Sequence, residues 1–144
     1  MKRWLGLDLG HVRIGVALSD TLGMTAQPLT VIQSEGTQKD IIAIGELVNE
    51  HEVSQVVVGL PINMDGTESK QTQKIREFST KLSNRLNVPV FFIDERLTSR
   101  QAERMMTESG VTAKKQRGKV DQIAAALLLQ SALKGALLTE VPKA

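Results

Sequence analysis

Six residues, Gln55-Val56-Val57-Val58-Gly59-Leu60, constrain the fold of this 144-residue chain more than any other stretch. The run is apolar at nearly every position, short, and closed by Pro61, which is the pattern of a strand covered on both faces. Such a strand needs helices above and below it, and helical stripes flank it on either side. Ile41, Ile44 and Val48 predict a helix over 38–51, and Ile75, Phe78, Leu82 and Leu86 predict one over 69–87. A second buried strand follows over 88–94, then helices over 99–109 and 120–134, the last ended by Gly135. Three strands precede all of these, over 3–9, 12–19 and 28–33, with the first two joined by a tight turn at Gly10-His11. Three strands followed by alternating helices and strands imply an α/β protein. Its sheet should be mixed and five-stranded, with helices on both faces and right-handed crossovers. The length suits one domain, placed at 1–138, and the tail 139–144 carries no pattern of its own.

The opening strand holds the chemistry. Leu5, Leu7 and Leu9 alternate with Trp4, Gly6 and Asp8, so a carboxylate stands near the end of an otherwise apolar strand. Buried alone it would cost several kcal/mol, so it must meet solvent, a hydrogen-bond network or a cation. Gly6, Gly10 and Gly15 clear side chains from around it and let another backbone or a phosphate approach. Ligands of parallel sheets gather at the carboxyl ends of the strands, where both Asp8 and Asp94-Glu95 fall. Asp121 is the third acid: Ala124, Ala125 and Leu128 lie at i+3, i+4 and i+7, so it sits on the inward stripe of the last helix. An acid in a helix's first turn also compensates the macrodipole, which accounts for the turn but not for the face. Carboxylates converging from separate segments repel unless a proton or cation bridges them, and oxygen-only sites suit Mg²⁺ or Mn²⁺. Asp94 adjoins Glu95, but successive side chains of a strand diverge, which favours a structural bond for it. If Glu95 lies two strands from Asp8, about 9.6 Å separates their strands.

Charge is unevenly spread. The net charge is +2, yet 96–120 alone carries +5, leaving −3 elsewhere. Residues 111–119 lack an apolar period and read as a mobile basic loop of Lys114, Lys115, Arg117 and Lys119, suited to a polyanion. Arg96 is placed for a phosphate contact, and Asn63 and Asp65 sit in a turn-rich loop at a strand's carboxyl end. With no tyrosine and only Trp4, Phe78, Phe91 and Phe92 as aromatics, recognition should rest on backbone and shape rather than base stacking. His11 and His51 are isolated, no Ser/His/Asp set suggests a covalent nucleophile, and cysteine is absent. Neither a signal peptide nor a membrane span is legible, so a cytoplasmic setting is expected.

Four ordered motifs resemble one family across nearly the whole chain. They are Asp8 in its glycine frame, Val58-Gly59-Leu60-Pro61 with Met64-Asp65-Gly66, Asp94-Glu95-Arg96-Leu97-Thr98-Ser99, and Asp121-Gln122-Ile123-Ala124-Ala125. The resemblance is to the YqgF/RuvX family of bacterial resolvase-like nucleases, and it implies a ribonuclease H-like fold. It further implies a metal-dependent nuclease that matures the 5′ end of the small-subunit (16S) ribosomal RNA precursor, with branched DNA, the Holliday junction, as the other substrate. By motif position it assigns the catalytic, metal-binding acids to Asp8, Glu95 and Asp121. Junction resolvases carry another acid one helical turn after the last of these, where this chain has Ala124. Two rivals are an actin-like phosphate-binding domain, suggested by Leu7-Asp8-Leu9-Gly10, and a non-catalytic RNA-binding module of the same fold.

Overall fold

The computed structural model describes residues 2–97 and 113–143, with side chains over 2–96 and 121–143. The helix expected over 99–109 lies outside the described residues.

The opening hairpin is β1 (Arg3–Leu9) and β2 (Arg13–Ser19), followed by β3 (Ala26–Gln33). Next come α1 (Thr37–Glu50), β4 (Val53–Leu60), α2 (Lys70–Arg85) and β5 (Val90–Asp94). A single 3-10 turn spans Glu95–Leu97, and α3 (Ala113–Leu133) and β6 (Thr139–Glu140) complete the described elements. The sheet order is β3-β2-β1-β4-β5-β6. β1 pairs antiparallel with β2 and parallel with β4, and β4 pairs parallel with β5.

Alternation in β1 partitions the core as its sequence demands. Leu5, Leu7 and Leu9 join Val16, Val56, Val58 and Phe92 under Ile41 and Ile44 of α1 and Ile75 and Leu82 of α2. The opposite face offers Ala17, Val57 and Ile93 to Ala125, Leu128, Leu129 and Ala132 of α3. This second face is lined by small residues, so α3 settles close. A Cβ on Gly6 would lie 2.9 Å from Leu129 Cβ and 3.0 Å from the Ala125 carbonyl. Gln130 fastens the helix to the sheet margin: its Oε1 accepts from Ala26 N at 2.9 Å and its Nε2 donates to the Met24 carbonyl at 3.0 Å.

Three expectations are corrected. The sheet has six strands rather than five, because the C-terminal tail pairs with β5 through Phe91–Glu140 and Phe92–Thr139 and buries Val141. Two paired residues are too few to leave a periodic signal. Residues 113–119 are not a loop: the last helix begins at Ala113, seven positions before the expected Val120. The segment Ala113-Lys114-Lys115-Gln116-Arg117 has strong intrinsic helix propensity without an apolar stripe, so periodicity alone overlooks it. Consequently Asp121 stands about two turns inside the helix and not in its first turn, which removes macrodipole compensation as the reason for an acid there. The end at Gly135 is as expected: with φ +96°, its N–H reaches the Ala132 carbonyl and the Ala136 N–H reaches that of Ser131, a Schellman closure.

The start of α1 is organised by Asp40. Gly36 is the N-cap and provides no side-chain bond, while buried Asp40 reaches back to accept from the Glu35 N–H at 2.9 Å and the Ser34 hydroxyl at 2.6 Å. Asp40→Ala removes both acceptors and is expected to cost roughly 1–3 kcal/mol, read as a lower urea midpoint at unchanged m-value.

Candidate active site

Asp8 lies between two glycine-bearing strands, and this is what assembles the site. Its ladder partner on β2 is Gly15; on β4, Gly59 follows Val58, the partner of Leu7. Over Gly15 passes the backbone of α3 at Asp121. A Cβ at residue 15 would come within 2.0 Å of the Asp121 carbonyl oxygen. Over Gly59 passes the side chain of Glu95, whose Oε1 would lie 2.3 Å from a Cβ at residue 59. The distance between β1 and β5 is thus bridged by a long side chain crossing a strand where no side chain stands in the way.

Glu95 donates a hydrogen bond to the Asp8 carboxylate. Burial, the charge of Asp8, this hydrogen bond and the charge of Asp94 push the Glu95 carboxyl up to about 8. Asp8 is also raised, chiefly by burial and against the lowering effect of the bond from Glu95, with the Asp121 charge adding to the rise. Burial and mutual repulsion thus favour a proton held between the two carboxyls. Asp121, half-buried, accepts from Arg13 Nε at 2.9 Å. Among the described residues no three acids or imidazoles stand in a geometry that already grips one ion. The arrangement is a proton-bridged pair beside a guanidinium-paired third acid. All its donors are carboxylate oxygens, and its crowded negative charge is what a hard divalent cation relieves. The donor set fits Mg²⁺ or Mn²⁺.

The other candidates divide. Asp94 is held by Arg96, whose backbone N–H, Nε and Nη2 donate to it at 2.9, 2.8 and 2.6 Å. This clasp turns the chain after β5, holds Asp94 below its usual range, and directs Glu95 the other way. Asn63 and Asp65 hold their own loop: Asn63 Nδ2 donates to Thr67 Oγ1, and Asp65 Oδ1 accepts from Thr67 N and Oγ1. The loop is exposed throughout and includes an apolar side chain, Met64, 80% exposed. Lys114, Lys115, Arg117 and Lys119 lie on the N-terminal turns of α3, with side chains outside the described residues. Arg13 escaped sequence reasoning. Its only local signal is a cation at the start of β2, five residues after Asp8. The role of Gly59 was also missed, because the strand order that sets it between Asp8 and Glu95 is not written locally.

The mixed six-stranded sheet, with α1 and α2 on one face and α3 on the other, is a ribonuclease H-like fold. Solved junction resolvases share it. Thermus thermophilus RuvC, bound to a Holliday junction substrate, aligns with a TM-score of 0.60 at 13% identity, over 96% of this chain and 99% of that one. The fowlpox virus Holliday junction resolvase aligns with a TM-score of 0.53 at 14% identity, over 92% and 98%. The family model described as RuvX, Holliday junction resolvase, matches residues 2–135, and the chain belongs to this family. A relative from Syntrophus aciditrophicus, named pre-16S rRNA nuclease, is 44% identical over 140 residues, covering 97% of this chain and 93% of its own. One from Anaeromyxobacter dehalogenans with the same name is 47% identical over 128 residues, covering 89% and 93%.

Proposed function

We propose that this protein is a metal-dependent nuclease that hydrolyses phosphodiester bonds in the 16S ribosomal RNA precursor during 5′-end maturation, in the cytoplasm. The observation that carries the reading is the hydrogen-bonded Asp8–Glu95 pair beside Asp121, assembled across two glycine gaps. The names of the relatives support this choice of substrate. Among the described residues no helix is long and apolar enough to cross a membrane.

Asp8, Glu95 and Asp121 would hold Mg²⁺ or Mn²⁺, which supplies a polarised water and charge stabilisation at the scissile phosphate. The chain's own part is to present oxygen ligands from three elements at one sheet edge. To act as ligands, Asp8 and Glu95 would release the proton held between them to solvent. Asp121 is held in place by the seating of α3 on Gly15. Water is the nucleophile, and no covalent enzyme intermediate is formed.

The test is incubation of the purified protein with a 16S precursor transcript, with Mn²⁺ or with EDTA, beside Asp8→Asn. Cleavage near the mature 5′ end only with metal and wild-type protein is expected. Cleavage by Asp8→Asn, or in EDTA, would overturn the assignment. A second reading, cleavage of four-way DNA junctions, is favoured by the family description, and a junction substrate forms the parallel arm. RNA binding without cleavage under any metal would mark a non-catalytic module.

We place the nucleic acid along the N-terminal turns of α3, with Lys114, Lys115, Arg117 and Lys119 on phosphates. Replacing all four with Ala should weaken binding equally across RNA sequences and flatten its salt dependence by about 0.7 slope units per lost contact. An unchanged slope, measured by filter binding from low to moderate salt, would make these residues a solvated surface only.

A further inference from the structure

We propose that Arg13 is a built-in counter-cation for Asp121, which a divalent ion must displace and which thereby weakens the ion's hold. This rests on the reading of Asp8, Glu95 and Asp121 as a metal-binding set.

Three features carry it. The contact is made through Nε alone, at 2.9 Å, and not as the bidentate fork that makes a guanidinium–carboxylate pair strong. Both side chains keep solvent access, at 27% and 21%, so the pair is held loosely enough to exchange. The two partners also differ in freedom. The Asp121 backbone is pinned, with its carbonyl where a Cβ of residue 15 would be, so its carboxylate can only rotate. Arg13 is a long side chain at the end of the β1–β2 turn and can swing away whole. At rest the charge of Asp121 is thus balanced by a guanidinium. A divalent ion competes with it. The released guanidinium stays tethered at the same sheet edge, positive and beside the place a phosphate would take. Arg13 is then a positioning residue that trades resting charge balance for metal affinity.

The experiment is calorimetric titration of MnCl₂ into wild type, Arg13→Gln, Arg13→Lys, Asp121→Asn and the Arg13→Gln/Asp121→Asn double variant. Removing the competing charge should tighten Mn²⁺ binding roughly 3- to 5-fold in Arg13→Gln, the upper end for a partly exposed ion pair. Arg13→Lys, which keeps the charge, should stay within about twofold of wild type. In the Asp121→Asn background the Arg13 substitution should change nothing, because its partner is gone. A purely structural Arg13 would lower the melting temperature without tightening Mn²⁺. If Arg13→Gln fails to fold, Arg13→Met, which keeps the aliphatic length, replaces it. Equal or weaker Mn²⁺ binding in the charge-removing variant, with cleavage intact in wild type, overturns this inference alone. Absence of Mn²⁺ binding by wild type and every variant at millimolar metal overturns the metal reading and this inference with it.

Discussion

Glu95→Gln is expected to reduce cleavage on the order of 10²–10³-fold while making the metal-free protein more stable at alkaline pH. The loss follows from removing one of the proposed metal ligands. The gain follows from the pair that Glu95 forms with Asp8. A carboxyl held at about 8 in the folded chain and near 4.5 in the unfolded chain binds more protons when folded between those values. Its contribution to stability is therefore complete below about pH 4.5 and is lost as pH rises through about 8. Asp8, raised as well, adds in the same direction. The decline should be on the order of a few kcal/mol between pH 5 and 9 in EDTA. The variant's side-chain amide presents an N–H where the protonated acid presented its O–H, so it keeps the bond to Asp8 without a proton to lose. Urea unfolding of both proteins across that range is the measurement. A wild type whose midpoint is flat with pH, together with a variant destabilised at pH 9, would show that Glu95 does not carry the proton.

Gly15→Ala should cost about 3 kcal/mol or more and most of the activity, whereas Gly59→Ala should cost about 1 kcal/mol and a comparable share of activity. Both additions clash, but against different atoms. At residue 15 the new methyl meets the Asp121 carbonyl oxygen at 2.0 Å and its carbon at 2.4 Å, and no rotamer moves a backbone. Relief requires lifting α3 from β2, which opens the contacts of Ala125, Leu128 and Leu129. At residue 59 the methyl meets Glu95 Oε1 at 2.3 Å and Leu128 Cδ2 at 2.8 Å, both ends of side chains that can turn away. The fold then survives with Glu95 displaced from Asp8. Paired urea midpoints and cleavage rates separate the two cases; equal stability losses would mean that the two glycines do the same job.

Much of this was legible in the sequence because it is local. The Leu5-Leu7-Leu9 alternation, the Val56–Val58 run and the stripes of α1 and α2 each report a period that the folded chain obeys. Asp121 was also legible as inward-facing, since its apolar neighbours lie within two helical turns. What escaped is non-local or unpatterned. The Arg13–Asp121 bond joins residues 108 apart. Gly59 matters only once β4 is known to lie between β1 and β5. The N-terminal turns of α3 are helical by propensity and carry no stripe, while β6 is two residues held by β5.

The continuity of α3 from Ala113 to Leu133 has a mechanical meaning. A rod about 31 Å long carries the basic turns at one end, Asp121 part-way along, and the Schellman closure at the other. The C-terminal portion is clamped to the sheet by Ala125, Leu128, Leu129 and Ala132 and buckled at Gln130. Such a rod behaves as a cantilever whose support begins near the third acid. A load on its basic end is transmitted through unbroken backbone hydrogen bonds to Asp121 at the edge of that support. A polyanion held there, as proposed, would therefore bear on the spacing of Asp121 from Asp8.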